Sequence, residues 1–180
     1  VRDGWFHPIR RTNLSRVNDS IQLGEIAECR TGIYTGDNPR FLGFDSQMQS
    51  KRKNGHEIDW NQRVRLTPLS DEEMRLGIEG TSCYVPIIRG GHRKPFEQTQ
   101  WAIDWSRSAV RYYDKNQKAR LQNHLFYFRA GLAVPMVTSG KLTASLMENS
   151  IFDQGVVGIF PRSEEWAPLL LIFLNHPIAT

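Results

Sequence analysis

Short apolar stretches separated by glycine, proline, asparagine and aspartate run along most of the chain, and this pattern predicts secondary structure of mixed type. A helical turn over residues 23–27 leads into a strand around residues 29–34, and the segment NPRFLGF, residues 38–44, is predicted to be the returning strand. The polar, lysine-containing stretch 47–61 surrounds an Asn-Gly step, which indicates a long loop or a hairpin tip.

Three segments carry the signals of helices. Ser70 precedes three acidic residues and forms the pattern of a capping box with Glu73. A second helix is predicted between residues 106 and 124. A third runs through WAPLLLIFLN, with Ser163 as its cap and Pro177 after its end. Because the third helix is apolar almost all round, we expect it to be buried, either in the core of this domain or against something outside the chain.

Five further stretches are rich in strand-forming residues and end at turn residues: SCYVPIIRG, LFYFRAG, VPMVTSG, LTASLM and GVVGIFP. Short strands that do not alternate regularly with helices predict an α+β fold, with short mixed or antiparallel strands and a few helices in a single recognition domain. Residues 1–20 hold four arginines without periodicity, so we interpret them as an arm or linker from an upstream catalytic domain. Residues 21–180 are then the domain itself, as a C-terminally truncated fragment.

The composition is that of an ordinary globular protein, with 39% hydrophobic and 23% charged residues among 180. The longest apolar run, PLLLIFL, is too short to span a bilayer, and no signal peptide is recognisable. Cys29 and Cys83 show no metal-binding spacing, and the histidines are scattered. We therefore expect free thiols in a reducing cytoplasm, no metal site and no membrane partner.

The charge is unevenly distributed. The chain carries a net charge of +4 and an isoelectric point near 9.3. Residues 101–141 contain seven lysines and arginines against two acids, whereas residues 142–180 contain one arginine against four acids. A basic middle beside an acidic end suggests one face turned toward a polyanion such as nucleic acid. The pattern also fits a solvated helix face with ordinary charge scatter.

The sequence contains no recognisable catalytic motif. The chain has no Gly-x-Ser-x-Gly elbow, no phosphate loop and no His-Glu-x-x-His pair. Asp153, Glu72 and Glu73 are interpreted as solvent-exposed acids at a turn or a helix start. Cys29 has no base that the sequence nominates. The sequence therefore indicates a binding module with no catalytic residues of its own.

Residues 23–42, LGEIAECRTGIYTGDNPRFL, resemble the opening of the target-recognition domain of adenine-specific DNA methyltransferases. These enzymes belong to the type IIG restriction–modification and BREX-like phage-defence families. The later segments RGGHRKPF, YFRAGL, SIFDQGVVGIFP and LLLIFLNH are similar to further family steps and follow in the family's order. Two segments depart from the family: residues 47–64 carry no recognisable signature, and Ala-Val-Pro at 133–135 replaces a Trp-Ser-type step. Both lie where such domains diverge to read different targets.

The resemblance implies a role in DNA recognition. Such a domain holds double-stranded DNA for methyl transfer by an upstream methyltransferase domain of the same chain. That upstream domain binds S-adenosylmethionine and carries an Asn/Asp-Pro-Pro-Tyr/Phe tetrad, which is not found here. The fragment is thus expected to bind no cofactor, and its parent to be an S-adenosylmethionine-dependent enzyme with or without a fused endonuclease.

Two alternative functions remain open. One is a recognition half of a type I restriction specificity subunit, which would place a long coiled-coil spacer helix beside the domain. The other is a small hydrolase with an unrecognised site, which would need an acid–base pair in a pocket.

The loop with two glycines supplies the first candidate contacts. Gly32 and Gly36 are expected to let the backbone approach a ligand. Thr35 and Asn38 offer short hydrogen-bonding groups, while Arg40 is expected to meet a phosphate or a guanine edge. Asp37 is expected to orient Arg40 or the turn amides. Alternatively, Asp37 and Asn38 only build an Asx turn that Phe41 anchors in the core.

The RGGHRK turn has the residues of a phosphate clamp, although an ordinary basic surface turn is the alternative. Basic residues that recur along the second helix are expected to steer the DNA backbone rather than to read bases. The aromatic pairs Tyr112–Tyr113 and Trp101–Trp105 are predicted to pack in the core rather than to stack on bases. The candidate DNA-binding residues are thus Thr35, Asn38, Arg40, Arg89, Gly90, Gly91, His92, Arg93, Lys94, Arg107, Arg111, Lys115, Lys118, Arg129 and Lys141.

Overall fold

A computed structural model describes residues 20–48, 54–91, 94–138 and 140–179. The predicted N-terminal arm, residues 1–20, lies outside these ranges except for Ser20. The strands within them are β1 (Ala27–Thr31), β2 (Leu42–Asp45), β3 (His56–Ile58), β4 (Tyr84–Ile88), β5 (Trp101–Asp104), β6 (Gly131–Pro135), β7 (Ser145–Met147), β8 (Ile151–Phe152) and β9 (Val156–Pro161). The α-helices are α1 (Leu23–Ile26), α2 (Asn38–Phe41), α3 (Trp60–Arg63), α4 (Asp71–Leu76), α5 (Arg107–Lys115) and α6 (Trp166–Asn175), and short 3₁₀ turns cover His124–Phe126 and Pro177–Ala179.

The strands form two sheets. The first has the order β1-β9-β6-β7, and every neighbouring pair in it is antiparallel. The second has the order β3-β2-β5-β4-β8, with parallel pairs at its two edges and antiparallel pairs between them. Together with the short helices, these sheets make a single α+β domain, as the sequence predicted.

The largest buried side chains tie α4 and α5 to the second sheet. The Trp105 indole N–H donates to the Glu73 carbonyl at 3.0 Å, and the Tyr113 hydroxyl donates to the Asp104 carbonyl at 2.8 Å. Both aromatic side chains are 1% exposed. The predicted core packing of these two residues is confirmed, whereas Trp101 and Tyr112 are only partly buried.

Helix α4 begins where its capping signals place it. The Ser70 hydroxyl accepts from the Glu73 amide, and the Glu73 carboxylate accepts from the Ser70 amide at 2.9 Å. Hydrogen bonds from the Ser70 backbone and hydroxyl hold the pKa of Glu73 below its ordinary value. Gly77 follows the helix with a φ of 92°, the left-handed region that favours glycine.

Several predicted elements differ from the observed ones. Residues 38–41 form α2 instead of a strand because the Asp37 carboxylate accepts from the Arg40 amide and caps a helical turn. Strands β1 and β2 lie in different sheets, so they form no hairpin. The predicted polar loop 47–61 contains β3 and the start of α3, and its residues 49–53 are not described.

The second helix is shorter than predicted. Ser106 caps α5 by accepting from the Ala109 amide, but the helix ends at Lys115 and residues 116–120 form a loop. The segment LFYFRAG is not a strand, because it forms a 3₁₀ turn and Phe128 has a φ of 62°. Strands β5 and β8 were not predicted, since each is too short to show a period.

Helix α6 is only half buried. Ser163 is not its N-cap, because Glu165 occupies that position and makes no side-chain capping bond. Four side chains of α6 are buried against the first sheet, whereas Leu169, Ile172 and Phe173 are 48%, 68% and 55% exposed. Pro177 follows the helix as predicted. None of the described helices is both long and apolar enough to cross a bilayer.

One amide side chain fastens the end of α6 to the first sheet. Asn175 accepts from the Ala144 amide through Oδ1 at 3.1 Å, and its Nδ2 donates to the carbonyls of Ala144 and Leu171 at 2.9 and 2.8 Å. Ala144 is fully buried just before β7. Without the Asn175 side chain, both backbone groups of Ala144 would lose this partner.

We therefore expect Asn175→Ala to lower the free energy of unfolding by about 3 kcal/mol, measured by urea denaturation. The matched control is Asn61→Ala, because Asn61 is exposed on α3. That change should stay within about 0.5 kcal/mol of the wild type. Equal effects of the two substitutions would contradict the anchoring role of Asn175.

Candidate nucleic-acid interface

The loop before α2 is held by its own side chains. The Thr35 hydroxyl donates to Asn38 Oδ1 at 2.6 Å and accepts from the Asp37 amide at 3.2 Å. Thr35 is 3% exposed, so the structure argues against its predicted contact with DNA. Asp37 orients the Arg40 amide, as predicted. Arg40 itself is exposed.

The two glycines of this loop bring the chain against itself rather than against a ligand. A Cβ atom on Gly32 would lie 1.8 Å from the Phe152 carbonyl oxygen. Gly36 has a φ of 73°, and its Cβ would lie 2.6 Å from the Lys118 carbonyl oxygen. The predicted role in ligand approach is corrected accordingly, since these spaces are filled by backbone.

Backbone hydrogen bonds join the loop to two distant segments. The Ile33 amide donates to the Phe152 carbonyl, and the Gln154 amide donates to the Ile33 carbonyl, both at 2.9 Å. Tyr34 and Arg120 exchange both of their backbone hydrogen bonds, at 3.1 and 2.8 Å. The loop thereby extends the second sheet beyond β8 by two further short bridges.

The row of backbone contacts also continues from Gly155 to Gly90 and to Met136. A Cβ on Gly90 would meet the Gly155 carbonyl oxygen at 3.0 Å, and that oxygen also accepts from the Met136 amide at 2.9 Å. We call this row of segments the loop edge; it comprises residues 135–138, 89–91, 153–155, 33–40 and 116–120.

One residue of the predicted phosphate clamp, Arg89, forms an ion pair within the protein. The Arg89 Nε lies 3.3 Å from Asp153 Oδ2, and its guanidinium lies 4.3 Å from the Trp101 ring centre. Both charged side chains are 20% exposed. Asp153 is therefore not the solvent-exposed acid that was predicted, and Arg89 is already neutralised.

The environment of Asp153 is set mainly by burial. Burial raises the pKa of this carboxyl, while Arg89 and the amides of Gly155 and Gly90 act in the opposite direction. Of the remaining clamp residues, Gly90, Gly91 and Lys94 are exposed. His92 and Arg93 lie outside the described residues.

The cations of α5 divide into two kinds. Arg107 is already paired, with Glu72 at 2.6 Å and with Glu79 at 3.2 Å, and its role in steering the DNA backbone stays a prediction. Arg111 and Lys115 are exposed one helical turn apart. Lys118 is also exposed, but it follows the end of the helix and does not continue its face.

Arg120 joins this group although the sequence analysis did not select it. Arg120 lies in the basic middle segment of the sequence, which could have indicated it. It does not follow the helical spacing by which the other cations of this segment were chosen. The backbone pairing of Arg120 with Tyr34 places it beside the loop, with its guanidinium 5.6 Å from the Tyr34 ring centre. The Arg40 guanidinium lies 4.7 Å from the Phe41 ring and 5.1 Å from the Tyr112 ring.

Five exposed cations thus lie on α2, on α5 and on the segment after α5. We call them the basic face: Arg40, Arg111, Lys115, Lys118 and Arg120. None of them forms an ion pair with any residue in the described ranges. Arg129, which lies over the Phe126 and Phe160 rings, and Lys141 are exposed outside this face.

The cavities offer no comparable chemistry. One cavity, of about 540 Å³, is lined by Asp45, Glu57 and Asp59, and no histidine, cysteine or lysine is among the described residues that line it. No group of three or more potential metal ligands occurs in the part of the chain that the structure describes. Burial raises the pKa of both Cys29 and Cys83, which leaves them as weak nucleophiles.

Compared with known proteins, the chain matches no protein-family model, and no curated protein is significantly similar to it. The function is therefore argued from the loop edge and the basic face.

Because Gly32 fits directly against the Phe152 carbonyl, we expect Gly32→Ala to destabilise the fold by about 3 kcal/mol. Gly24→Ala is the matched control, since a Cβ on Gly24 meets nothing within 4 Å. That variant should unfold at an unchanged or slightly higher urea concentration. If the two alanine variants were equally stable, the close contact would not be maintained in solution.

Proposed function

We propose that this chain is the DNA target-recognition module of an adenine-specific DNA methyltransferase in a restriction–modification or phage-defence system. In this proposal it positions duplex DNA for methyl transfer by a separate catalytic domain of the same protein. The observation that carries the proposal is the basic face, whose five cations have no acidic partner among the described residues.

The grouping of unpaired cations in one area, rather than the lack of ion pairs as such, supports a polyanionic partner. Arg89 and Arg107 have carboxylate partners within 3.3 Å, as does Arg65, which pairs with Glu73. The basic face gathers its cations without such partners and includes only Asp37 and Asp114 as acids in the same segments. Like charges in one place repel each other, and phosphates of a nucleic acid would offset that repulsion.

Rigid support of the face suits a positioning role. The loop before α2, residues 116–120 and the end of α5 are joined by main-chain hydrogen bonds and by aromatic contacts rather than by long flexible side chains. A rigid platform loses little conformational entropy on binding and fixes the register of a duplex.

Within this proposal, Arg40 is the residue that reads a base. Its backbone is fixed by the Asp37 cap and by Pro39, and its guanidinium packs against two aromatic rings. Such preorganisation favours a bidentate contact with the O6 and N7 edge of guanine. The other four cations are assigned to phosphates, because long exposed side chains at a helix end carry little sequence information.

The proposal assigns no bond-making step to this chain. S-adenosylmethionine and the residues that transfer the methyl group belong to the upstream catalytic domain of the parent enzyme. The hydrolase alternative gains no support from the cavity of about 540 Å³, since its carboxylates have no basic partner among the described residues that line it.

We expect the domain to bind mixed-sequence duplex DNA with an affinity that falls steeply with salt, as measured by fluorescence anisotropy. Lys115→Gln and Lys118→Gln should each reduce the log–log salt slope by about 0.9, because each removes one phosphate contact. Arg162→Gln is the charge-matched control. Arg162 lies beside Ile26 before β1, whereas the loop of the basic face follows the other end of that strand.

The control variant should keep the wild-type slope. A slope near zero for the wild type would overturn the proposal. A uniform loss in all three variants would show that net charge acts without a localised face.

Arg40→Ala, in the complete methyltransferase, should relax the recognised sequence at one position and cost about 1–3 kcal/mol on the preferred site. Arg40→Lys should not restore recognition of the base at that position, because lysine keeps the charge but lacks the planar guanidinium group. Sequencing of methylated sites measures both effects. An unchanged motif methylated at a uniformly lower rate would mean that Arg40 contacts phosphate or only supports the loop.

A further inference from the structure

The loop between β6 and β7 carries two adjacent apolar side chains on the surface. Val137 is 86% exposed and Met136 is 54% exposed. Lys141, on the same loop, is exposed as well. The Met136 amide is bound to the Gly155 carbonyl, so the backbone is held at the loop edge while the side chains face outward. We call Met136 and Val137 the hairpin tip.

Single apolar residues on a surface are common and need no explanation. The hairpin tip differs from such residues in its position, because the loop edge connects it through Gly155, Asp153 and Ile33 to the basic face. Apolar side chains are thus presented in the same row of segments as Arg40, Lys118 and Arg120. This combination matches proteins that hold DNA by its phosphates and insert apolar groups between bases.

We propose that the hairpin tip is an apolar wedge that enters a DNA duplex at a base step, while the basic face holds phosphates to one side of that step. This inference rests on the proposed function and adds a distortion of the DNA to it. Separating a base step costs a few kcal/mol, and burial of the two side chains between the bases offsets part of that cost. Lys141 supplies a phosphate contact beside the wedge.

A nucleic acid fits this tip better than a lipid surface does. Membrane binding grows with the apolar area that is buried, and stable attachment requires a larger apolar face than two side chains present. A base step, by contrast, accommodates one or two side chains of this size. The narrow apolar tip next to separate cations therefore favours insertion into DNA.

The test compares a short matched duplex with the same duplex carrying one central mismatch. A mismatch lowers the cost of unstacking, so a wedge binds it more tightly. We expect the wild-type chain to prefer the mismatched duplex by at least about fivefold. Met136→Ser with Val137→Ser should abolish that preference and leave the salt slope unchanged, because the phosphate contacts remain.

Ile172→Ser is the matched control, since Ile172 on α6 is 68% exposed outside the loop edge. That variant should keep the mismatch preference. The inference is overturned if the wild type binds both duplexes equally, if the double variant keeps the preference, or if the control also loses it.

The salt slope separates the two proposals. Equal binding of both duplexes with a steep salt slope would contradict the wedge proposal but not the proposed function. A salt slope near zero would contradict both proposals. Phosphatidylserine vesicles form a third arm of the experiment. Binding to them that disappears in the double variant would overturn the inference in favour of a lipid surface.

Discussion

The close contact between Gly32 and the Phe152 carbonyl is the constraint on which the surface depends. It allows Ile33 to pair with the chain after β8, and that pairing places Tyr34 beside Arg120. The cations on both sides of this junction then share one face. A side chain at residue 32 would separate the two strands of backbone, and the parts of the basic face would no longer lie on a common support.

Two kinds of electrostatics coexist in the domain. Arg89 and Arg107 form ion pairs with carboxylates, and these ion pairs join one element of the fold to another. The cations of the basic face have no such partner among the described residues, and they lie on a surface built from aromatic rings and main-chain hydrogen bonds. Ion-paired cations and the cations of the basic face thus occupy different places in the fold, and composition alone does not reveal this division.

The sequence predicted the parts of the structure that local chemistry decides. The capping box of α4, the start of α5 and the burial of Phe41 all follow from signals within a few residues. It failed for α2, where Asp37 turned an apparent strand into a helical turn. It also did not predict the ion pairs of Arg89 and Arg107, because their acidic partners are distant in sequence.

The site was predicted in the same uneven way. Arg40, Lys115 and Lys118, which were selected from the sequence, are exposed, but Thr35 was not expected to be buried. Arg120 was missed because only the pairing with Tyr34, which joins separate parts of the chain, brings it to the face. Spacing along a helix predicts neighbours within that helix and is silent about residues that meet through a sheet edge.

The loop edge has a consequence for how the domain folds. Its segments come from separate parts of the described chain, and the Ile33–Phe152 and Tyr34–Arg120 contacts each close a long loop of polypeptide. A contact between residues far apart in sequence requires closure of a long loop, and the entropic cost of that closure comes before any stabilisation from the contact. Structures rich in such contacts therefore fold slowly. The basic face depends on such contacts, because Arg120 is brought to it by the pairing of Arg120 with Tyr34. We therefore expect the face to form only after these distant segments have docked.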